Sequence, residues 1–160
     1  MWTKLENALI ERIKEKTNIS NVQLWSGKAE ELLRKPHTYP ALRVILEKHE
    51  LTPLDTFGAS FNSTFDISIL VFFRSLRDAG EGAYPVIEKL YWMNNEIVEG
   101  YKLRPEGASL LVNEAGEFVF KVSFKAEGKE VLYQEEEILV KKITLGDLTS
   151  KEEITVQKEG

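Results

Sequence analysis

FDISILVFFRSLRD, residues Phe65 to Asp78, is the stretch on which the fold turns. Phe65, Ile67, Ile69, Val71 and Phe73 are apolar at every second position, and this period of two means a strand. Leu70 and Phe72 add apolar bulk to its other face, so the middle of the strand is expected to be covered on both sides, by helices or by a partner subunit. AGEGA follows at 79–83 and reads as a flexible turn. YPVIEKLYWM comes next, with Val86, Ile87, Leu90 and Tyr91 at helical spacing and Pro85 in a first turn, where a missing N–H is tolerated.

Outward from that unit, composition sets bounds. A chain of 160 residues with 42% hydrophobic content is long enough for one core of ordinary size. The expected organisation is one α+β domain over 1–140, followed by an acidic tail over 141–160 that a partner subunit orders or that stays flexible. No apolar run is long enough to span a membrane, and Glu6 comes too early for a signal peptide, so a soluble, untargeted chain is expected. With no cysteine, disulfides, thiolate metal sites and cysteine nucleophiles are excluded. The net charge of -5 is the wrong sign for wrapping a nucleic-acid backbone, and sequence-specific nucleic-acid binding is not expected. From Glu127 onward, nine acids face five lysines, so the acidity is concentrated at the carboxyl end.

Toward the amino terminus, Thr3 to Glu6 has the form of a capping box, and Leu5, Leu9 and Ile13 follow a helical stripe, predicting a helix from about Lys4 to Lys16. Ile19 to Trp25 reads as extended, and Lys28 to Arg34 as a second short helix with Leu32 and Leu33 turned inward. Leu42, Val44 and Leu46 alternate with mostly polar residues, giving a strand over 41–48. The interval from Glu50 to Thr64 is long for a hairpin loop and signals either a functional loop or a protruding pair of strands. Its Phe57 and Phe61 either fold back on the core or form an interface.

Beyond the second helix, Pro105-Glu106-Gly107 reads as a turn. Ser109 to Val112 and Glu117 to Phe124 flank Asn113 to Gly116 as a hairpin. Ala126 to Lys129 is expected to turn again, with Glu130 to Gln134 as one further strand. The fold class is therefore α+β, a mainly antiparallel sheet packed with two or three helices.

Signs of chemistry are few. Gly80-Glu81-Gly82 lacks the lysine and hydroxyl residue of a phosphate loop and carries an acid where phosphate would sit. His37 and His49, with Glu47 and Glu50 nearby, would need a third convergent ligand to hold zinc. No serine has a recognisable histidine and acid partner in sequence, and Asp55, Asp66 and Asp78 sit where acids are usually solvated. Neither an enzymatic activity nor a cofactor is expected. Arg74, Arg77 and Asp78 mark the exit of the strand as surface charge or as subunit-contact salt bridges.

Five segments resemble one family in their order and type: LENALIERIKE (5–15), PALRVILE (40–47), FDISILVFFRSLRD (65–78), GAYPVIEKLYWM (82–93) and ASLLVNEAGEFVFKVSFKA (108–126). The resemblance is to the small tail proteins of Mu-like contractile-tailed phages and prophages, which include tail terminator, or tail completion, proteins. It spans roughly residues 2 to 126 and weakens after Glu127. It implies a tail-terminator-like fold whose copies form a ring, expected to be a hexamer, on the last ring of the tail tube. Such a ring ends polymerisation and offers a surface to the head connector. The implied partners are further copies of the chain, the tail tube protein and neck or head connector proteins. The implied location is the virion tail, assembled in the bacterial host cytoplasm. A neck or head-completion connector, or a part of a phage-derived delivery device, is the alternative. Under either reading Phe57, Phe61, Arg74, Arg77, Asp78, Leu145 and Leu148 are the candidate subunit or tube contacts.

Overall fold

The structure is a computed structural model that describes residues 1–32, 36, 38–79 and 82–132. Helix α1 (Trp2–Thr17) brings Leu5, Leu9 and Ile13 onto one face at four-residue spacing and buries all three. Burial of side chains this size contributes about 2 kcal/mol each. The helix starts before the expected capping box. Met1 is its N-cap, no side chain caps it, and Leu5 N–H donates to Met1 O at 3.1 Å. Trp2 meets Phe65 edge-on with ring centroids 5.0 Å apart, which draws the first turn onto the sheet and leaves Thr3 inside the helix.

β1 (Val22–Leu24) runs parallel to β2 (Ala41–Pro53), from Val22 opposite Leu42 to Leu24 opposite Val44. Between them a 3-10 turn occupies Ala29–Leu32 within the stretch 28–34 expected to be helical, of which Leu33 and Arg34 lie outside the described residues. β2 is followed by β3 (Ser60–Phe73), its neighbour in the sheet. A link as short as 54–59 cannot cross over, so the pair is an antiparallel hairpin and most of the interval from Glu50 to Thr64 is strand.

After β3 come α2 (Ala83–Tyr91), β4 (Ile97–Val98), β5 (Tyr101–Glu114) and β6 (Glu117–Val131). The sheet order is β1-β2-β3-β6-β5-β4. β4 and β6 both pair antiparallel with β5. Lys125 is ion-paired with Asp66 while Val119 clusters with Leu70 and Phe72, so β6 also runs antiparallel to β3. Among the described residues, two α-helices with a six-stranded, mostly antiparallel sheet make the expected α+β class.

Phe65, Ile67, Ile69, Val71 and Phe73 point into the main core with the buried faces of α1 and α2. On the other face Leu70 and Phe72 are 0% and 5% exposed, clustered with Ala41 and Val119 and packed by Trp25, Tyr39 and Val112. The chain thus covers both faces of β3 by itself. The apolar bulk of Leu70 and Phe72 does not call for a partner subunit.

Two expected turns are strand instead. At Pro105-Glu106-Gly107 β5 continues through a register shift, a bulge in which Gly107 takes φ 137. At Ala126 to Lys129 β6 runs straight on. Gly128 is there for space: a Cβ on it would stand 2.8 Å from Gly100 O and 3.0 Å from Tyr101 Cδ2. Glu130 and Val131 end β6 rather than begin another strand, and residues from 133 on, including the proposed tail, lie outside the described residues. The expected hairpin over 109–124 is present, turning at Ala115 and Gly116 with φ 50 and 77, the two positive values of a type I′ turn.

The chain forms two compact units. One comprises Met1–Thr52 with Asn62–Lys129 and holds both helices and the main core. The other includes Pro53–Phe61 and the described residues 130–132, joined by Leu132 N–H to Ala59 O at 2.8 Å. Among the described residues no helix is long and apolar enough to cross a membrane.

Candidate functional site

The sequence-predicted contact residues fall at two places. Arg74, Arg77 and Asp78 share the turn between β3 and α2, and all three are exposed. The Arg74 guanidinium lies over the Tyr39 ring, 4.4 Å from its centroid, and the Arg77 guanidinium lies 5.3 Å from the Tyr84 ring centroid. Tyr39 also donates its hydroxyl to Glu117 Oε2 at 2.6 Å. Burial, then the Glu117 carboxylate, raises its phenol above the ordinary value, against a smaller opposing pull from Arg74.

The turn itself is tightly held where it is described. Gly82 N–H donates to Asp78 O, Ala83 N–H to Ser75 O and Tyr84 N–H to Leu76 O, at 2.8 to 2.9 Å. A Cβ on Gly82 would stand 2.6 Å from Asp78 N and 2.7 Å from Leu76 O. The glycine therefore permits close backbone approach, which corrects the flexible-turn expectation at this residue. Gly80 and Glu81 lie outside the described residues. Because carbonyls of the preceding turn take the first N–H groups of α2, the helix start is not an open phosphate cradle.

Phe57 and Phe61 belong to the other unit. Phe57, in the hairpin turn, is 90% exposed, whereas Phe61 is half-buried in β3. The turn is shaped by Asp55, whose carboxylate accepts the Ala59 N–H at 3.1 Å and is held below the usual range chiefly by that bond. Leu145 and Leu148 lie outside the described residues.

Sequence reasoning missed one cluster. Ser63 Oγ lies 2.7 Å from His49 Nε2 and 2.7 Å from Tyr101 OH. His49 stacks on Phe65 with centroids 4.1 Å apart, and Trp2 meets it edge-on at 5.4 Å. Inward positions on β2 are even at Leu42, Val44 and Leu46 but odd at His49, so one extra residue in the strand turns the imidazole inward. That change of parity has no signal in the sequence.

A serine beside a histidine is the geometry of an activated nucleophile, but this serine is 0% exposed, and no carboxylate is hydrogen-bonded to His49 among the described residues. With Phe65 and Trp2 against the ring, the cluster is a polar tie within the core. His37 lies outside the described residues, and no group of three potential metal ligands occurs among those described. A cleft of about 410 Å³ at the end of α1, lined by Asn18, Ser20, Asn21, Thr38 and Lys89, offers hydrogen-bonding groups and a single cation. Asp66 is occupied by Lys125 at 2.7 Å.

No protein-family model and no curated protein matches the chain. Among solved structures, a chain from the virion of a native gene transfer agent particle aligns with 78% of this chain and 97% of its own, at 13% identity and a TM-score of 0.48. Another solved chain aligns with 82% of this one and 93% of its own, at 15% identity and a TM-score of 0.42.

Proposed function

We propose that this protein is a structural component of a phage-like tail, capping the tail tube as a ring of identical copies, ending its polymerisation and presenting the surface that joins the head. The observation that carries this reading is the way the five family-like segments fold. LENALIERIKE lies in α1, PALRVILE leads into β2, FDISILVFFRSLRD forms the core part of β3 and its exit turn, GAYPVIEKLYWM contains α2, and ASLLVNEAGEFVFKVSFKA is the β5–β6 hairpin. An exposed Phe57 at a hairpin turn and a cationic corner at Arg74 and Arg77 supply two different surfaces, as repeated head-to-tail contacts in a closed ring require. The Mu-like tail terminator assignment, the hexameric state, and the tube and connector partners are all parts of this proposal.

Electron microscopy of particles assembled without the protein tests it. Overlong or ragged tails that fail to join heads are the expected result. Tails of normal length lacking a neck would transfer the protein to a connector role, and particles indistinguishable from wild type would overturn both readings.

A further inference from the structure

β5 keeps an open edge over much of its length. β6 pairs with it from Lys102 to Glu114, whereas β4 covers its other side only at Tyr101 and Lys102. Asn95 N–H then donates to Leu103 O and Leu103 N–H to Glu96 O, both at 2.8 Å, and no further backbone partner follows on that side among the described residues. These two bonds also set the phase of the strand. Leu103 turns its N–H and C=O away from Ala126 opposite it, so Phe124, Val122 and Phe120, at every second residue of β6 from there, face β5 residues turned the same way. Beyond the bulge, the residues opposite Val122 and Phe120 are Ala108 and Leu110. Their N–H and C=O groups therefore point outward, and Ala108, Ser109, Leu110 and Leu111 are all exposed.

Proteins blunt such edges with charge. β2 beyond Val44, where β1 ends, carries Glu47, Lys48 and Glu50. Residues 107–113 of β5, GASLLVN, carry neither charge nor proline. Pro105 and the register shifts at 105–107 and 110–112 close the two ends of this window but leave its middle regular. An apolar row runs inward from it: Leu110 stands opposite Phe120, whose ring meets Tyr84 with centroids 6.4 Å apart. An open backbone edge beside an apolar row takes an added strand, bound by its main chain and selected by its side chains.

We propose that this strand is the same edge of a second copy, running antiparallel and centred on Ser109. Centring there uses both outward residues of the window, since Ala108 of each copy exchanges its N–H and C=O bonds with Leu110 of the other. Each leucine then lies opposite a small alanine, and the two leucines sit diagonally rather than head on. Because each copy spends its one edge, the pairing ends at two copies instead of running on as a fibril. It uses neither Phe57 nor the turn after β3, so it does not rest on the tail-capping reading.

The chain has no cysteine, so a single introduced thiol reports the register. In this pairing the Ser109 Cα atoms of the two copies stand about 4.5 Å apart, the spacing of a non-hydrogen-bonded pair and within reach of a disulfide. Ser109→Cys is expected to form a two-copy disulfide under mild oxidation about tenfold faster than Asn113→Cys, which is exposed on the same strand but far from its own counterpart. Sedimentation of wild type over a range of concentrations is expected to show an equilibrium between one copy and two. Leu110→Lys should weaken it about tenfold or more by setting like charges diagonally across the edge. All three substitutions fall on exposed side chains, so an unchanged Tm is expected, and should Leu110→Lys lower it, the cross-linking pair decides alone. Equal cross-linking at 109 and 113, or a folded Leu110→Lys that pairs like wild type, overturns the proposal. So does a wild type that stays a single copy at every concentration, which would leave the edge to a strand of another protein. Because this readout needs no phage particle, it fails or succeeds separately from the tail-capping experiment.

Discussion

Tyr101 of β5 reaches across β6 to place its hydroxyl 2.7 Å from Ser63 Oγ of β3. The strand between them contributes Gly128, whose missing side chain leaves room for the tyrosine ring. His49 of β2 completes the row on the far side of Ser63, so one chain of hydrogen bonds ties together three strands of the four it traverses. Polar groups joined in this way fix register, because a slip of one residue would break both bonds to Ser63. Ser63 is therefore read as a structural residue.

Replacing Ser63 by Ala removes the central oxygen and breaks both the bond to the Tyr101 hydroxyl and the bond to His49 Nε2. The expected loss is about 1–3 kcal/mol in chemical denaturation. In the double variant with Tyr101→Phe the second substitution should cost less than it does alone, as expected of residues in one network. Strictly additive losses would show that the two hydroxyls do not depend on each other.

Gly128→Ala tests the space above β6. Its Cβ would meet Gly100 O at 2.8 Å and the Tyr101 ring at 3.0 Å, and backbone cannot yield as a flexible side chain does. Overpacking of this kind costs about 1–3 kcal/mol, a fall in Tm of several degrees for a chain this size. A wild-type Tm would mean that β6 does not approach Tyr101 so closely.

Glu96 ties α1 to the segment after α2 by accepting hydrogen bonds from both Arg12 and Lys16. Burial pushes its carboxyl up, but the bonds from Lys16 and Arg12 outweigh that and leave it below the ordinary 4.5. A carboxyl whose value is depressed by folding contributes stability above its unfolded value and loses it as pH falls through the folded one. Glu96→Gln should therefore cost about 1 kcal/mol at neutral pH, and this difference should shrink steadily once pH falls below 4.5. A difference that stays constant across that acidic range would exclude ionisation of Glu96 as its source.

Much of the fold was legible because periodicity reports burial directly. The alternation from Phe65 to Phe73 and the stripe of Leu5, Leu9 and Ile13 express which faces are dry, and the glycine-bearing loop over Asn113 to Gly116 marked the hairpin. Glycine and proline were read less well. Pro105, Gly82 and Gly128 looked like turn residues, yet they serve a bulge and two close backbone approaches, uses that depend on what lies opposite in space. The same limit hid the Ser63 row, since His49 faces inward only through a local change of strand parity. Arg74, Arg77 and Asp78 were found together because they are adjacent in sequence, whereas the Tyr39 and Tyr84 rings beneath the arginines come from separate elements.

Phe57 separates a contact residue from a fold residue. At 90% exposure it buries almost nothing within the chain, so Phe57→Ser should leave Tm and the denaturation midpoint nearly unchanged, within about 0.5 kcal/mol. Under the proposed function the same substitution should reduce the yield of tails of correct length when the variant complements particles lacking the wild-type protein. Asp55→Ala offers the contrasting case. It removes the carboxylate that accepts the Ala59 N–H, so the hairpin turn carrying Phe57 loses its clamp while Phe57 itself is retained. If the phenylalanine acts from a fixed position, both variants should lower the yield, Phe57→Ser more severely. Normal tails from both would remove this hairpin turn from the contact surface, leaving assembly to the cationic corner.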